Sequence, residues 1–168
     1  MSQIIIGLAG KKQVGKDTAA NYLAQGFGFE KIAFGDFVKK EVREILKDFA
    51  GINYSDKNKE QFRTLLQAWG DVRRFQNPNY WIEKLFSEIE KSPKIIISDC
   101  RFIKEIEEIK KRGGLIFKIE RNTPFKDSHP SENEIDFYQF YDAVIDNNGT
   151  IEDLYKKLDE IAKKFHFN

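Results

Sequence analysis

The chain has 168 residues, with 28 Lys or Arg against 27 Asp or Glu and a formal net charge of +1. That balance gives no global reason to expect nucleic acid or a membrane surface as partner, no apolar run approaches the ~20 residues of a spanning helix, and the N-terminus does not read as a signal peptide. The single cysteine, Cys100, excludes an intrachain disulfide, and His129 and His166 lie far apart without Cys partners, which argues against zinc; a small, one-domain cytoplasmic enzyme is expected.

The first predicted element is a strand over 3–8, built on Ile4-Ile5-Ile6. It runs into Gly10-Lys11-Lys12-Gln13-Val14-Gly15-Lys16, which fits the G-x-x-x-x-G-K phosphate loop. Thr18-Ala19-Ala20-Asn21-Tyr22-Leu23-Ala24 then opens a helix. The order matters chemically. Consecutive backbone N–H groups in a glycine-hinged loop form an anion nest, and the helix N-terminus adds partial positive charge. Lys16 reaches the outer phosphates as a point charge. In the usual pattern a Ser or Thr hydroxyl follows the lysine and ligates Mg²⁺. Here Asp17 follows, and the hydroxyl comes at Thr18. Asp17 could supply a carboxylate oxygen to the metal, Thr18 could take over, or Asp17 could simply complement the helix N-terminus.

Further strands are expected at 30–34, 94–98, 115–120 and 142–146, all short and apolar, as for a sheet covered on both faces. Helical periodicity fills the intervals. Val38, Val42, Ile45, Leu46 and Phe49 form one apolar face. Phe62, Leu65, Leu66 and Trp69 form a second, and Ile82, Leu85, Phe86 and Ile89 a third. Trp69 and Trp81 read as core residues. Ile103, Ile106 and Ile109 line a shorter helix, ending at the cations Lys110-Lys111-Arg112. The last helix carries Ile151, Leu154, Tyr155, Leu158, Ile161, Ala162 and Phe165, with Thr150 as its N-cap. This alternation predicts an α/β fold: a three-layer parallel sheet of P-loop NTPase type, with ligand at the carboxyl ends of the strands. Ile95-Ile96-Ile97-Ser98-Asp99 matches that rule as a buried strand ending in a carboxylate, of the kind that holds Mg²⁺. Arg101 follows, able to grip an anion bidentately.

Four segments together resemble the deoxynucleoside monophosphate kinases of bacteriophages, a branch of the P-loop kinases. They are Gly15-Lys16-Asp17-Thr18; Arg63 to Gly70 (RTLLQAWG), continuing through Arg73-Arg74 to Ile82; Ile97-Ser98-Asp99-Cys100-Arg101-Phe102 with Glu105 and Gly113-Gly114; and His129-Pro130-Ser131-Glu132 followed by Tyr141-Asp142 and Asn148-Gly149-Thr150. The resemblance implies ATP-dependent phosphorylation of a deoxynucleoside 5′-monophosphate with Mg²⁺. It implies that Gly10 to Thr18 and Asn148 hold the donor nucleotide, that Lys16, Asp99 and Arg121 act in catalysis, and that Asp17, Thr18 and Asp99 serve the metal. An insertion at about 35–81 would hold the acceptor, with Phe34, Lys39, Arg63, Gln67, Arg74, Asp99, Arg101 and Glu132 as its contacts. Residues 121–137 would form a short lid carrying Arg121 and Lys126. Homodimerisation stays open. The alternatives are a kinase for another small phosphorylated acceptor, of the dephospho-coenzyme A or phosphomevalonate type, and a nucleotide-binding protein without turnover.

Overall fold

The computed structural model describes residues 3–51, 54–55, 57–122 and 134–167. In chain order its strands are β1 Ile4–Ala9, β2 Glu30–Ile32, β3 Lys94–Cys100, β4 Leu115–Glu120 and β5 Ala143–Asp146. The helices are α1 Lys16–Phe27, α2 Phe34–Ala50, α3 Arg63–Gln76, α4 Tyr80–Glu88, α5 Ile103–Lys111 and α6 Ile151–Lys164. All five expected strands form. The second is shorter than expected because α2 already starts at Phe34.

Two compact units emerge: Met1–Ile32 together with Lys91–Asn168, and Ala33–Glu90. The first carries a five-stranded sheet in the order β2-β3-β1-β4-β5, and every adjacent pair is parallel. The central strand β1 registers Ile5 with Ile95 and Ile6 with Ile96. Alternation sends Ile6, Leu8 and Ile96 into a cluster with Ala19, Ala20 and Leu23 of α1 and Leu154, Leu158 and Ala162 of α6. Each fully buried Ile or Leu there contributes about 1.5–3 kcal/mol. The predicted cap of α6 forms: Thr150 Oγ1 accepts from the Asp153 N–H at 3.2 Å, and the Asp153 carboxylate accepts from the Thr150 N–H at 3.0 Å. Lys110 does more than favour a helix end. Its ammonium pairs with Asp142 at 2.8 Å, and Asp142 also accepts from the Ile116 N–H, joining α5 to the loop before β5. Among the described residues, no helix is long and apolar enough to cross a membrane.

The second unit packs α2, α3 and α4. The expected face of α4 is realised: Ile82, Leu85, Phe86 and the following Ile89 are buried. Trp81 is also buried, and its indole N–H donates to the Gly70 carbonyl at 3.1 Å. The expected apolar face of α3 is not a buried one. Leu65 is 39% exposed, Trp69 is half-buried, and Gly70 is the residue of the helix that reaches the interior. The reason is polar. The buried Glu41 carboxylate on α2 accepts from the Trp69 indole at 2.9 Å, Arg73 Nε at 3.1 Å and the Tyr80 hydroxyl at 2.6 Å, and pairs with Lys84. The Arg73 guanidinium also lies over the rings of Trp69 and Tyr80, 4.9 Å from each.

Candidate functional site

β1 ends at Ala9 and α1 begins at Lys16, so the glycine loop spans the carboxyl end of the central strand. Its backbone is bent into conformations that side chains disfavour: φ is +148° at Gly10, +102° at Gly15 and +67° at Gln13. A Cβ on Gly10 would stand 2.5 Å from the Ile119 carbonyl oxygen, and one on Gly15 would collide with the Asn147 side chain. Both positions therefore demand glycine on conformation and on space. Val14 is buried in the core and anchors the loop. Lys16 is 7% exposed, and its ammonium donates to the carbonyls of Gly10 and Lys11, 2.6 Å to each. The result is a cation held within a ring of backbone at a helix N-terminus, an arrangement suited to receiving an anion.

The sheet brings Asp99 and Arg101 beside this loop. Ala9 registers with Cys100, so the end of β3 lies against the end of β1. Buried Glu105 fixes the following turn, accepting from the N–H groups of Arg101 at 2.8 Å and Phe102 at 3.1 Å. Burial pushes the Cys100 thiol up, the charges of Glu105 and Asp99 push it further, and Lys16 opposes them; Cys100 is thus a neutral packing residue. Asp17 is paired with the neighbouring strand β2. Its side chain is 81% exposed, and its carboxylate pairs at 2.7 Å with Lys31 of β2, which also donates to Asn21 at 3.0 Å. Thr18 is half-buried on the first turn of α1. Among the described residues no group of three or more His, Cys, Asp or Glu could hold a metal ion. Mg²⁺ at nucleotide sites generally takes phosphate oxygens and waters with one or two protein ligands, so such a site needs no cluster of this kind.

On the other flank, a cleft of about 270 Å³ is lined by Gly10, Lys11, Val14, Arg121, Asn122 and Asn148, among others. Arg121 is exposed at its rim. The Asn148 side chain is committed to the protein: it accepts from the Asn122 N–H at 2.8 Å and donates to the Asp146 carboxylate. Lys11 pairs with Asp136 at 2.7 Å. Asn147, at the carboxyl end of the last strand, donates to the Val14 carbonyl, and Lys31 is a partner that sequence reasoning did not single out.

In the second unit, Arg63, Gln67, Gly70 and Arg74 recur at i, i+4, i+7 and i+11 along one stripe of α3. Arg63 lies 3.9 Å from Glu60, and Arg74 is 3.2 Å from Asp71. Lys39 pairs with Asp36 at 2.8 Å. Phe34, expected against the acceptor, is buried at the start of α2. Glu132 and His129, and residues 123–133 of the expected lid, lie outside the described residues.

Residues 8–114 match the family model described as phosphomevalonate kinase. A protein of Acanthamoeba polyphaga mimivirus, provisionally named deoxynucleotide monophosphate kinase, is 34% identical across 92% of this chain and 94% of its own length. Dephospho-CoA kinase from Campylobacter jejuni has a similar fold, with 12% identity, 98% of each chain covered and a TM-score of 0.57. Shikimate kinase from Aquifex aeolicus is similar too, at 16% identity, 98% and 99% coverage and a TM-score of 0.55. At these identities the two solved structures speak to the fold alone, and the fold is the expected P-loop kinase type.

Proposed function

The chain belongs to the family of P-loop kinases that includes the mimivirus relative named for deoxynucleotide monophosphates, and its residues 8–114 also match the phosphomevalonate kinase model; from that premise we propose that it phosphorylates a deoxynucleoside 5′-monophosphate to the diphosphate at the expense of ATP. The observation that carries the reading is the Lys16 ammonium enclosed by the glycine loop at the carboxyl end of β1, with Asp99 at the end of the neighbouring strand. In this reading the loop amides and Lys16 bind and orient the donor phosphates. They stabilise charge as the bond from the γ-phosphorus to the bridging oxygen breaks and one to an acceptor phosphate oxygen forms. Asp99, with Thr18 or Asp17, would hold Mg²⁺, which would supply positive charge to the donor phosphates. Arg121 stands at the donor cleft as a cation for the phosphates. Arg101, beside the loop, is a further phosphate grip.

The second unit supports a nucleotide acceptor. Arg63 and Arg74 offer planar donors to a dianionic phosphate, and Gln67, on the same stripe of α3, offers an amide that both donates to and accepts from a base edge. The match to the phosphomevalonate kinase model favours a second reading, a kinase for another small phosphorylated acceptor. An ADP-release assay with the four deoxynucleoside monophosphates, their ribose counterparts, dephospho-coenzyme A and phosphomevalonate separates them. Turnover of at least one deoxynucleoside monophosphate is expected. Turnover of a non-nucleotide acceptor alone would replace the first reading by the second.

A further inference from the structure

Asn147, the first residue after β5, is 5% exposed, and a buried amide of this kind is retained where its hydrogen bonds are made. Its backbone N–H donates to the Glu120 carbonyl at the end of β4, 2.8 Å away. Its side-chain Nδ2 donates to the Val14 carbonyl, also at 2.8 Å, across 133 residues of sequence. Val14 contributes the carbonyl of the peptide that joins it to Gly15. In a planar trans peptide the C=O and the N–H point in opposite directions. Holding the Val14 carbonyl toward Asn147 therefore turns the Gly15 N–H away from it. The same amide occupies the space that a side chain on Gly15 would need. The next residue extends the bracket, since Asn148 accepts from the Asn122 N–H.

We propose that Asn147 is a positioning residue of the phosphate site: it orients the Val14–Gly15 peptide so that the Gly15 N–H faces the donor phosphates, without itself touching the substrate. The inference rests on the donor-site reading above. It separates the loop's shape, set from the carboxyl end of the edge strand β5, from the charge supplied by Lys16.

The test is titration calorimetry of the full chain with ATP and, separately, with inorganic pyrophosphate, alongside KM values for donor and acceptor. Asn147→Asp keeps the size but sets a carboxylate oxygen against the Val14 carbonyl. It should weaken ATP and pyrophosphate between about fivefold and about a hundredfold, raise the donor KM in proportion, and leave the acceptor KM within about twofold. Asn147→Ala, which removes the donor without adding charge, should lose donor affinity in the same sense; it decides the matter if the Asp variant does not fold. A folded Ala or Asp variant with wild-type affinity for both probes would overturn the inference. Wild-type protein that binds pyrophosphate but not ATP would instead overturn the kinase reading, and the variants would still test Asn147 through pyrophosphate. Wild-type protein that binds neither would overturn both.

Discussion

The Asp17 carboxylate accepts a hydrogen bond from the Lys31 ammonium at 2.7 Å, across the start of α1 and the short strand β2. Lys31 is shared with Asn21, so one cation ties two residues of α1 to the sheet. With Asp17 largely exposed, such a pair is worth at most about 1 kcal/mol. Its direction matters more than its strength: the carboxylate has a partner on the surface, while Lys16 beside it turns inward.

The metal prediction follows from that arrangement. Thr18→Ala should raise the Mg²⁺ concentration needed for half-maximal turnover by about tenfold. Asp17→Asn should change it by no more than about twofold. Mg²⁺ titrations of turnover for both variants check this. The reverse ranking would mean that the carboxylate leaves Lys31 and joins the metal.

Lys16→Ala should lower kcat by a factor of about a hundred to a thousand, the scale of losing one preorganised charge at the reacting phosphates. Lys16→Arg should not restore it, because a planar fork replaces a point charge within a loop closed at 2.6 Å on both carbonyls. Steady-state rates, paired with circular dichroism to verify folding, provide the measurement. A folded Lys16→Ala enzyme with near-normal turnover would remove the loop from the chemistry.

Arg63→Ala and Arg74→Ala should each raise the acceptor KM by about tenfold, with donor KM unchanged. A charge-assisted hydrogen bond to a phosphate is worth about 1.5–3 kcal/mol, and both side chains stay half-exposed beside Glu60 and Asp71. Gln67→Leu should shift the preference among acceptor bases rather than weaken all of them alike. Unchanged acceptor kinetics in all three variants would place recognition elsewhere.

The Glu41 cluster gives a prediction in pH. Burial alone would push the Glu41 carboxyl up, but hydrogen bonds from Lys84, Tyr80, Trp69 and Arg73 outweigh it and hold the pKa at about 2, against an ordinary 4.5. A carboxyl depressed in the folded state stabilises fully above pH 4.5, and that contribution fades as pH falls toward 2. It amounts to about 3 kcal/mol when complete. Glu41→Gln should therefore lose about that much at pH 7, and its deficit relative to wild type should shrink between pH 4.5 and 2. Denaturant titrations at several pH values measure both. A deficit independent of pH would assign the cluster's strength to packing rather than charge.

The sequence by itself determined what depends on near neighbours: five strands from short apolar runs, the phosphate loop from glycine spacing, the Thr150 cap from its place just before an apolar-periodic helix, and Asp99 at a strand's end. These are local because backbone geometry and periodicity act over a few residues. The tertiary structure decided what depends on distant partners. Strand order set Ala9 against Cys100, which brought Asp99 beside the loop, and it set Asn147 under Val14. Apolar spacing on α3 suggested a buried face, yet its Trp69 and Arg73 join Tyr80 and Lys84 of α4 as donors gathered on Glu41 from 28 to 43 residues away. A buried carboxylate leaves no periodic trace in the sequence, because its donors come from separate helices and meet only once those helices have packed.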